Sequence, residues 1–129
     1  MNQYRQDAFV CERVARYFEE HPDRWTRGVY RKIELTPRWS NPIRHVTRFC
    51  ALGLMHEMGV DAAQTRRIQE AFTAVMGEGI ARANDRRDLP AIIHGMRLTA
   101  DHLLSQARTQ AAGEAREPAA LFEPTAAQV

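Results

Sequence analysis

Apolar residues recur at helical spacing near both ends of the chain. Over residues 3–20 they predict an amphipathic helix with four apolar side chains on one face: Val10, Val14, Tyr17 and Phe18. A longer stripe predicts a final helix that begins after Asp88, the expected N-cap, and reaches about residue 112. This second stripe comprises Leu89, Ile92, Ile93, Met96, Ala100, Leu103, Leu104 and Ala107.

A different pattern, in which apolar and charged residues alternate, follows the first helix. Val29, Ile33 and Leu35 alternate with Tyr30, Lys32 and Glu34, and this two-residue repeat is typical of a β-strand or extended segment. Because a single strand cannot satisfy its own backbone, we expect a partner strand, as in a small hairpin. Thr36-Pro37 is predicted to end the strand.

Two further helices are predicted between the strand and the last helix. Ser40-Asn41-Pro42 is typical of a helix start, and a broad apolar arc indicates a helix over residues 42–58 that ends at Gly59. Asp61, with Gln64 three residues later, indicates the capped start of a third helix. The apolar stripe of this helix is Ile68, Ala71, Phe72, Val75 and Met76.

Together these elements predict a mainly α fold with about four helices and a short β hairpin or extended segment between helices 1 and 2. Residues 1–112 are expected to form a single α-helical domain. Residues 113–129 have only Leu121 and Phe122 as sizeable apolar side chains, so we predict a disordered or loosely docked tail. The residues expected in the core are Phe49, Leu54, Ile93, Met96 and Leu104.

Composition narrows the cellular setting. No apolar run approaches the roughly 18 residues of a membrane span, and the first residues lack the apolar core of a signal peptide. Cys11 and Cys50 fall within apolar patterns, so we expect two buried, reduced thiols in a cytoplasmic protein. The formal net charge is only +2, which gives no general attraction to nucleic acid.

Three short motifs resemble the pattern of a family of small uncharacterised bacterial and phage proteins, a domain of unknown function. They are Trp25-Thr26-Arg27-Gly28, Cys50-Ala51-Leu52-Gly53-Leu54 and Asn84-Asp85, against a family pattern of Trp-x-x-Gly, Cys-Ala-x-Gly-Ala/Leu and Asn-Asp. The chain departs from the family at Arg86-Arg87-Asp88, where a Gly-Arg-Thr-like stretch is frequent. The resemblance implies a shared fold and a phage or mobile-element context, and it brings no activity.

The motifs supply the candidate site. Trp25, Gly28, Asn84 and Asp85 could form a site for a partner or ligand; alternatively, Trp25 packs over the end of helix 1, Gly28 occupies a positive-φ turn, and Asn84-Asp85-Arg86-Arg87 is a turn-forming loop. Cys50 is a weak candidate for a nucleophile, because a mid-helix position on an apolar arc does not suit a reactive thiol. No catalytic residue, metal ligand or cofactor is therefore predicted.

A helix-turn-helix provides an alternative function. A helix, Gly59-Val60, and a second helix carrying Thr65-Arg66-Arg67 follow that plan. Arg66 and Arg67, with Arg86 and Arg87, would then contact phosphates. The balanced charge and the identities of Met55 and Thr65 do not favour this alternative.

The favoured expectation is a small non-catalytic accessory protein, of phage or mobile-element type, that binds another protein. The alternative is a nucleic-acid-binding regulator that uses the four arginines. A third reading is a small enzyme whose chemistry involves Cys50 and Asn84-Asp85. A homodimer is left open by the sequence, and no membrane partner is expected.

Overall fold

The computed structural model of the protein describes residues 2–35, 39 and 45–128, with side chains up to residue 114. Five α-helices and a two-stranded antiparallel hairpin make up these residues, so the predicted mainly α fold with a hairpin between helices 1 and 2 is confirmed. In chain order the elements are α1 (Gln3–Glu20), a 3-10 turn (Pro22–Arg24), β1 (Arg31–Leu35), β2 (His45–Phe49), α2 (Ala51–Glu57), α3 (Ala62–Met76), α4 (Ile80–Arg86) and α5 (Leu89–Gln128).

Local capping fixes where the long helices begin. Asn2 Oδ1 accepts a hydrogen bond from Arg5 N at the start of α1 (2.9 Å). Asp61 Oδ1 accepts one from Gln64 N at the start of α3 (2.8 Å), and Asp88 Oδ1 accepts one from Ala91 N at the start of α5 (3.0 Å). Both predicted caps, Asp61 and Asp88, are therefore confirmed.

The core forms where α1 and α3 pack against α5. Phe18 of α1, Phe72 of α3 and Met96 of α5 are fully buried there, and the hairpin contributes Phe49. The burial predictions for Phe49, Leu54 and Met96 are confirmed. Those for Ile93 and Leu104 are wrong, because both side chains lie at the margin of the core and are only partly buried.

The predicted helix over residues 42–58 is wrong in its first half. Residues 45–49 form β2, which pairs with β1 in a regular register from Arg31 opposite Phe49 to Leu35 opposite His45. Val46 and Phe49 are three residues apart, so their spacing also fits a helical face, and the pairing with β1 decides between the two structures. Helix α2 begins only at Ala51, and Ser40-Asn41-Pro42 and Thr36-Pro37 lie outside the described residues.

The loop predicted at Asn84-Asp85-Arg86-Arg87 is also wrong. Asn84, Asp85 and Arg86 belong to helix α4, and Arg87 is its C-cap. The reason is that Asn84 and Asp85 bond to distant segments instead of to their own backbone.

Helix α5 continues to Gln128, beyond the point where the apolar stripe fades. The division into a domain over residues 1–112 and a tail over residues 113–129 stays a prediction. Within the described residues, no helix is both long enough and apolar enough to cross a membrane.

Candidate functional site

Asn84, on helix α4, is almost fully buried and connects three segments of the chain. Its side-chain oxygen accepts hydrogen bonds from Trp25 Nε1 (2.8 Å) and from the backbone N–H of Ala51 (3.1 Å). Its side-chain nitrogen donates to the backbone carbonyl of Thr26 (2.9 Å). Because buried polar groups are stable only when they are bonded, this one amide fixes the segment after α1 and the start of α2 against α4.

Asp85 bonds the segment after α1 at Gly28, two residues beyond the Thr26 carbonyl that Asn84 contacts. Its carboxylate accepts a hydrogen bond from the N–H of Gly28 (2.8 Å), whose φ of +77° lies in the left-handed region that favours glycine. Arg27 donates to the carbonyls of Asn84 (3.3 Å) and Arg87 (2.6 Å). The Arg27 guanidinium also lies 4.9 Å from the ring centre of Trp25, in a cation–π contact.

The cysteine motif meets this assembly through Tyr30. Cys50 N donates to the Tyr30 carbonyl (3.2 Å), and Cys50 Sγ accepts from Gly53 N (3.3 Å) as the N-cap of α2. A Cβ on Gly53 would lie 1.8 Å from the Tyr30 carbonyl oxygen, so only glycine fits at this position. The three motifs, residues 25–28, 50–53 and 84–85, therefore converge, and we call them the motif cluster.

The structure thus brings together the predicted site residues Trp25, Gly28, Asn84 and Asp85. Asn84, Asp85 and Cys50 all line one cavity of about 90 Å³. This volume suits about three water molecules. Of the four predicted residues, only Asp85 and Gly28 are exposed at the surface. Whether they bind a partner or ligand stays a prediction.

Both cysteines are buried free thiols. Burial raises the pKa of Cys11 to about 12. Burial also raises the pKa of Cys50, against the opposing effect of hydrogen bonds from Gly53 and Leu52. The prediction that placed Cys50 in mid-helix is wrong, since it caps α2, but the raised pKa disfavours the thiolate that a nucleophile needs.

The helix-turn-helix candidate arginines differ in their surroundings. Arg67 donates to both carboxylate oxygens of Asp7 (2.8 and 3.0 Å), an acid that is fully buried on α1. Arg66, its neighbour on α3, is exposed along an open groove of about 920 Å³. Helices α2 and α3 follow one another as that motif requires, yet Arg67 serves the interior of the protein.

Arg86 and Arg87 both contact Glu78 (3.3 and 2.6 Å). The hydrogen bond from Arg87 holds the pKa of Glu78 below its usual value. Their charge is therefore partly neutralised, and their role as nucleic-acid contacts stays a prediction. No three His, Cys, Asp or Glu side chains converge as metal ligands in the part of the chain that the structure describes.

The hairpin carries a surface that the sequence analysis did not recognise as functional. Seven large hydrophobic side chains are exposed among the described residues, and five of them lie in or beside the hairpin. We call these five the hairpin surface: Val29, Tyr30, Ile33, Leu35 and Trp39. The alternating pattern of β1 was available in the sequence, but it indicated a half-buried strand. It could not show that the described part of the chain leaves Ile33 and Leu35 exposed.

Comparison with protein-family models, with curated proteins and with solved structures found no match for this chain. The geometry of the motif cluster and the exposure of the hairpin surface are therefore the basis for a function.

Proposed function

We propose that this chain acts by binding another protein and that the hairpin surface is the site of contact. The observation that carries the proposal is the concentration of exposed apolar side chains there, with Ile33 56% and Leu35 64% exposed. Single exposed apolar residues are normal on protein surfaces. Ile33 and Leu35, at alternate positions of β1, lie on the same face of the strand, and exposed apolar side chains grouped in this way are typical of an interaction site. Burying such side chains against a partner contributes roughly 25 cal/mol for each Å² of apolar area.

The motif cluster supports this proposal as the base of the hairpin. The hydrogen bond from Cys50 N to the Tyr30 carbonyl joins the cluster to the residue that precedes β1. A second bond, from Thr26 N to the carbonyl of Phe49 (2.9 Å), joins it to the end of β2. A rigid base lowers the conformational entropy that is lost when a partner binds. Trp25 and Asn84 then act as positioning residues, which hold the contact surface without touching the partner.

Binding is favoured over catalysis because the best nucleophile is unsuited to its task. Cys50 Sγ is buried, accepts a hydrogen bond and has a raised pKa. Binding of nucleic acid is less favoured because Arg67, Arg86 and Arg87 already pair with carboxylates. A cytoplasmic accessory protein of phage or mobile-element type fits the free thiols and the motif resemblance.

Site-specific photocrosslinking in the native host tests the proposal. A benzophenone amino acid would replace Leu35 in one variant and Leu98, an exposed leucine on α5, in the matched control. We expect discrete protein adducts from position 35 and none from position 98. Adducts from both positions alike, or none from position 35, would count against the hairpin as a binding site.

A further inference from the structure

Strand β1 has one edge available for pairing. It pairs with β2 on one side, and no other strand lies beside it among the described residues. In an antiparallel pair, every second residue directs its backbone N–H and C=O toward the partner strand. Because the Tyr30 carbonyl accepts from Cys50 N, the even-numbered residues of β1 direct these groups toward β2. Residues at odd positions of β1 therefore direct their N–H and C=O groups outward: Arg31, Ile33 and Leu35. An exposed strand edge of this kind is a template for a strand from another chain.

The side chains of β1 form a self-complementary pattern. Lys32 and Glu34 share one face, where their side chains form an ion pair (2.8 Å), and Ile33 lies between them on the opposite face. An antiparallel copy of β1 centred on Ile33 would set Lys32 opposite Glu34 of the second copy, and Glu34 opposite Lys32. Opposite charges in directly facing positions stabilise strand pairing.

The same pattern disfavours the neighbouring registers. A pairing centred on Lys32 sets this lysine opposite itself, and a pairing centred on Glu34 sets two carboxylates face to face, which is destabilising. All three registers pair the outward backbone groups of the two strands, but only the register centred on Ile33 sets opposite charges face to face, and it uses all five residues of β1.

We propose that the protein bound at the hairpin surface is a second copy of this chain, joined by antiparallel pairing of the two β1 strands across a two-fold axis at Ile33. This deepens the proposed function and rests on it. The result is a four-stranded sheet in the order β2-β1-β1-β2. The contact is isologous, so every favourable pair occurs twice, and it brings the exposed Ile33 and Leu35 side chains of both copies onto one sheet face.

Charge exchange between the two strands tests the proposal. The variants Lys32→Glu and Glu34→Lys would be compared with the parent by sedimentation over a dilution series. We expect the parent to dimerise and each single variant to raise the dimer dissociation constant by about tenfold or more, as two favourable pairs become two repulsive ones. Mixing the two variants should restore a dimer that contains one copy of each.

The mixture separates an interface effect from damage inside one chain. Each variant still lacks its own ion pair between Lys32 and Glu34 after mixing, so recovery can come only from contacts between chains. Circular dichroism of each variant alone checks that it is folded. A parent that stays monomeric at high concentration, or a mixture that does not recover the dimer, would overturn the proposal.

The crosslinking variant at Leu35 distinguishes the two proposals from each other. An adduct of twice the chain mass supports the second copy as the partner. An adduct of another mass, lost in an Ile33→Asp background, keeps the proposed binding function and overturns self-association. No adduct at all overturns both.

Discussion

Asn84 and Leu35 occupy opposite extremes of exposure in this protein. Asn84 is a polar side chain with 1% of its surface exposed, and Leu35 is an apolar side chain with 64% exposed. The buried amide is stable because it makes three hydrogen bonds, two to the segment after α1 and one to the start of α2. No contact within the described chain compensates the exposed leucine in the same way. The bonded, buried amide of Asn84 therefore stabilises the fold, whereas the exposed side chain of Leu35 indicates a surface that contacts another molecule.

The motif cluster and the hairpin surface meet at Tyr30. Its carbonyl accepts the hydrogen bond from Cys50 and contacts Gly53, whereas its side chain is 62% exposed and belongs to the hairpin surface. The residues that stand out in the sequence thus support the structure. The residues that are available for binding belong to an ordinary alternating strand. Substitutions in the two regions should separate loss of folding from loss of binding.

The largest effect is expected from Arg67→Ala, which leaves the fully buried Asp7 without its charge partner. Removing one member of a fully buried ion pair costs about 3–5 kcal/mol. Because the Arg67 side chain is 28% exposed, we expect the free energy of unfolding by urea to fall by about 3 kcal/mol, at the lower end of this range. Arg66→Ala is the matched control on the same helix, and its exposed side chain should change stability by no more than about 0.5 kcal/mol.

The same two variants bear on the nucleic-acid alternative. DNA affinity falls with salt, and each phosphate contact contributes about −0.9 to the slope of log affinity against log salt concentration. A variant that loses one contact should therefore show a slope that is shallower by about 0.9. We expect negligible binding of duplex DNA by the parent protein at physiological salt. Tight binding that is lost in the stable Arg66→Ala variant would instead favour the helix-turn-helix function.

A smaller effect is expected from Asn84→Ala, which removes three hydrogen bonds of about 1 kcal/mol each. The free energy of unfolding should fall by about 2–3 kcal/mol, and by only about 1 kcal/mol in the control Asp85→Ala, which loses a single bond to Gly28. Loss of the Asn84 side chain also opens the wall of the cavity beside Cys50, so alkylation of Cys50 should accelerate relative to Cys11. Equal stability losses in both variants would show that Asn84 is not the centre of the cluster.

The features that follow from local sequence were predictable. The bounds of α1 follow from its apolar repeat, and Asp61 and Asp88 cap helices through bonds to residues three positions away. The position of β2 was not predictable, because Val46 and Phe49 fit either a helix or a strand until β1 pairs with them.

The role of Asn84 was hidden for a similar reason. Asn followed by Asp is typical of a turn, and the bond that keeps Asn84 inside a helix comes from Trp25, 59 residues earlier in the chain. The resemblance grouped the three motifs, but neither it nor their spacing indicated that they are in contact. Exposure of the hairpin surface was equally hidden, since an alternating strand does not reveal whether another element covers its apolar face.

The smallest effect on folding, and the sharpest separation of the two regions, is expected from Leu35→Asp. This side chain is mostly exposed, so the free energy of unfolding should change by no more than about 0.5 kcal/mol, while self-association is lost. Unfolding must be measured at a protein concentration low enough for the monomer to dominate, because association itself adds to the apparent stability. Leu98→Asp is the matched control, which should preserve both stability and association. A loss of about 2 kcal/mol or more in the Leu35→Asp monomer would mean that Leu35 is buried in solution, and the contrast with Asn84 would then fail.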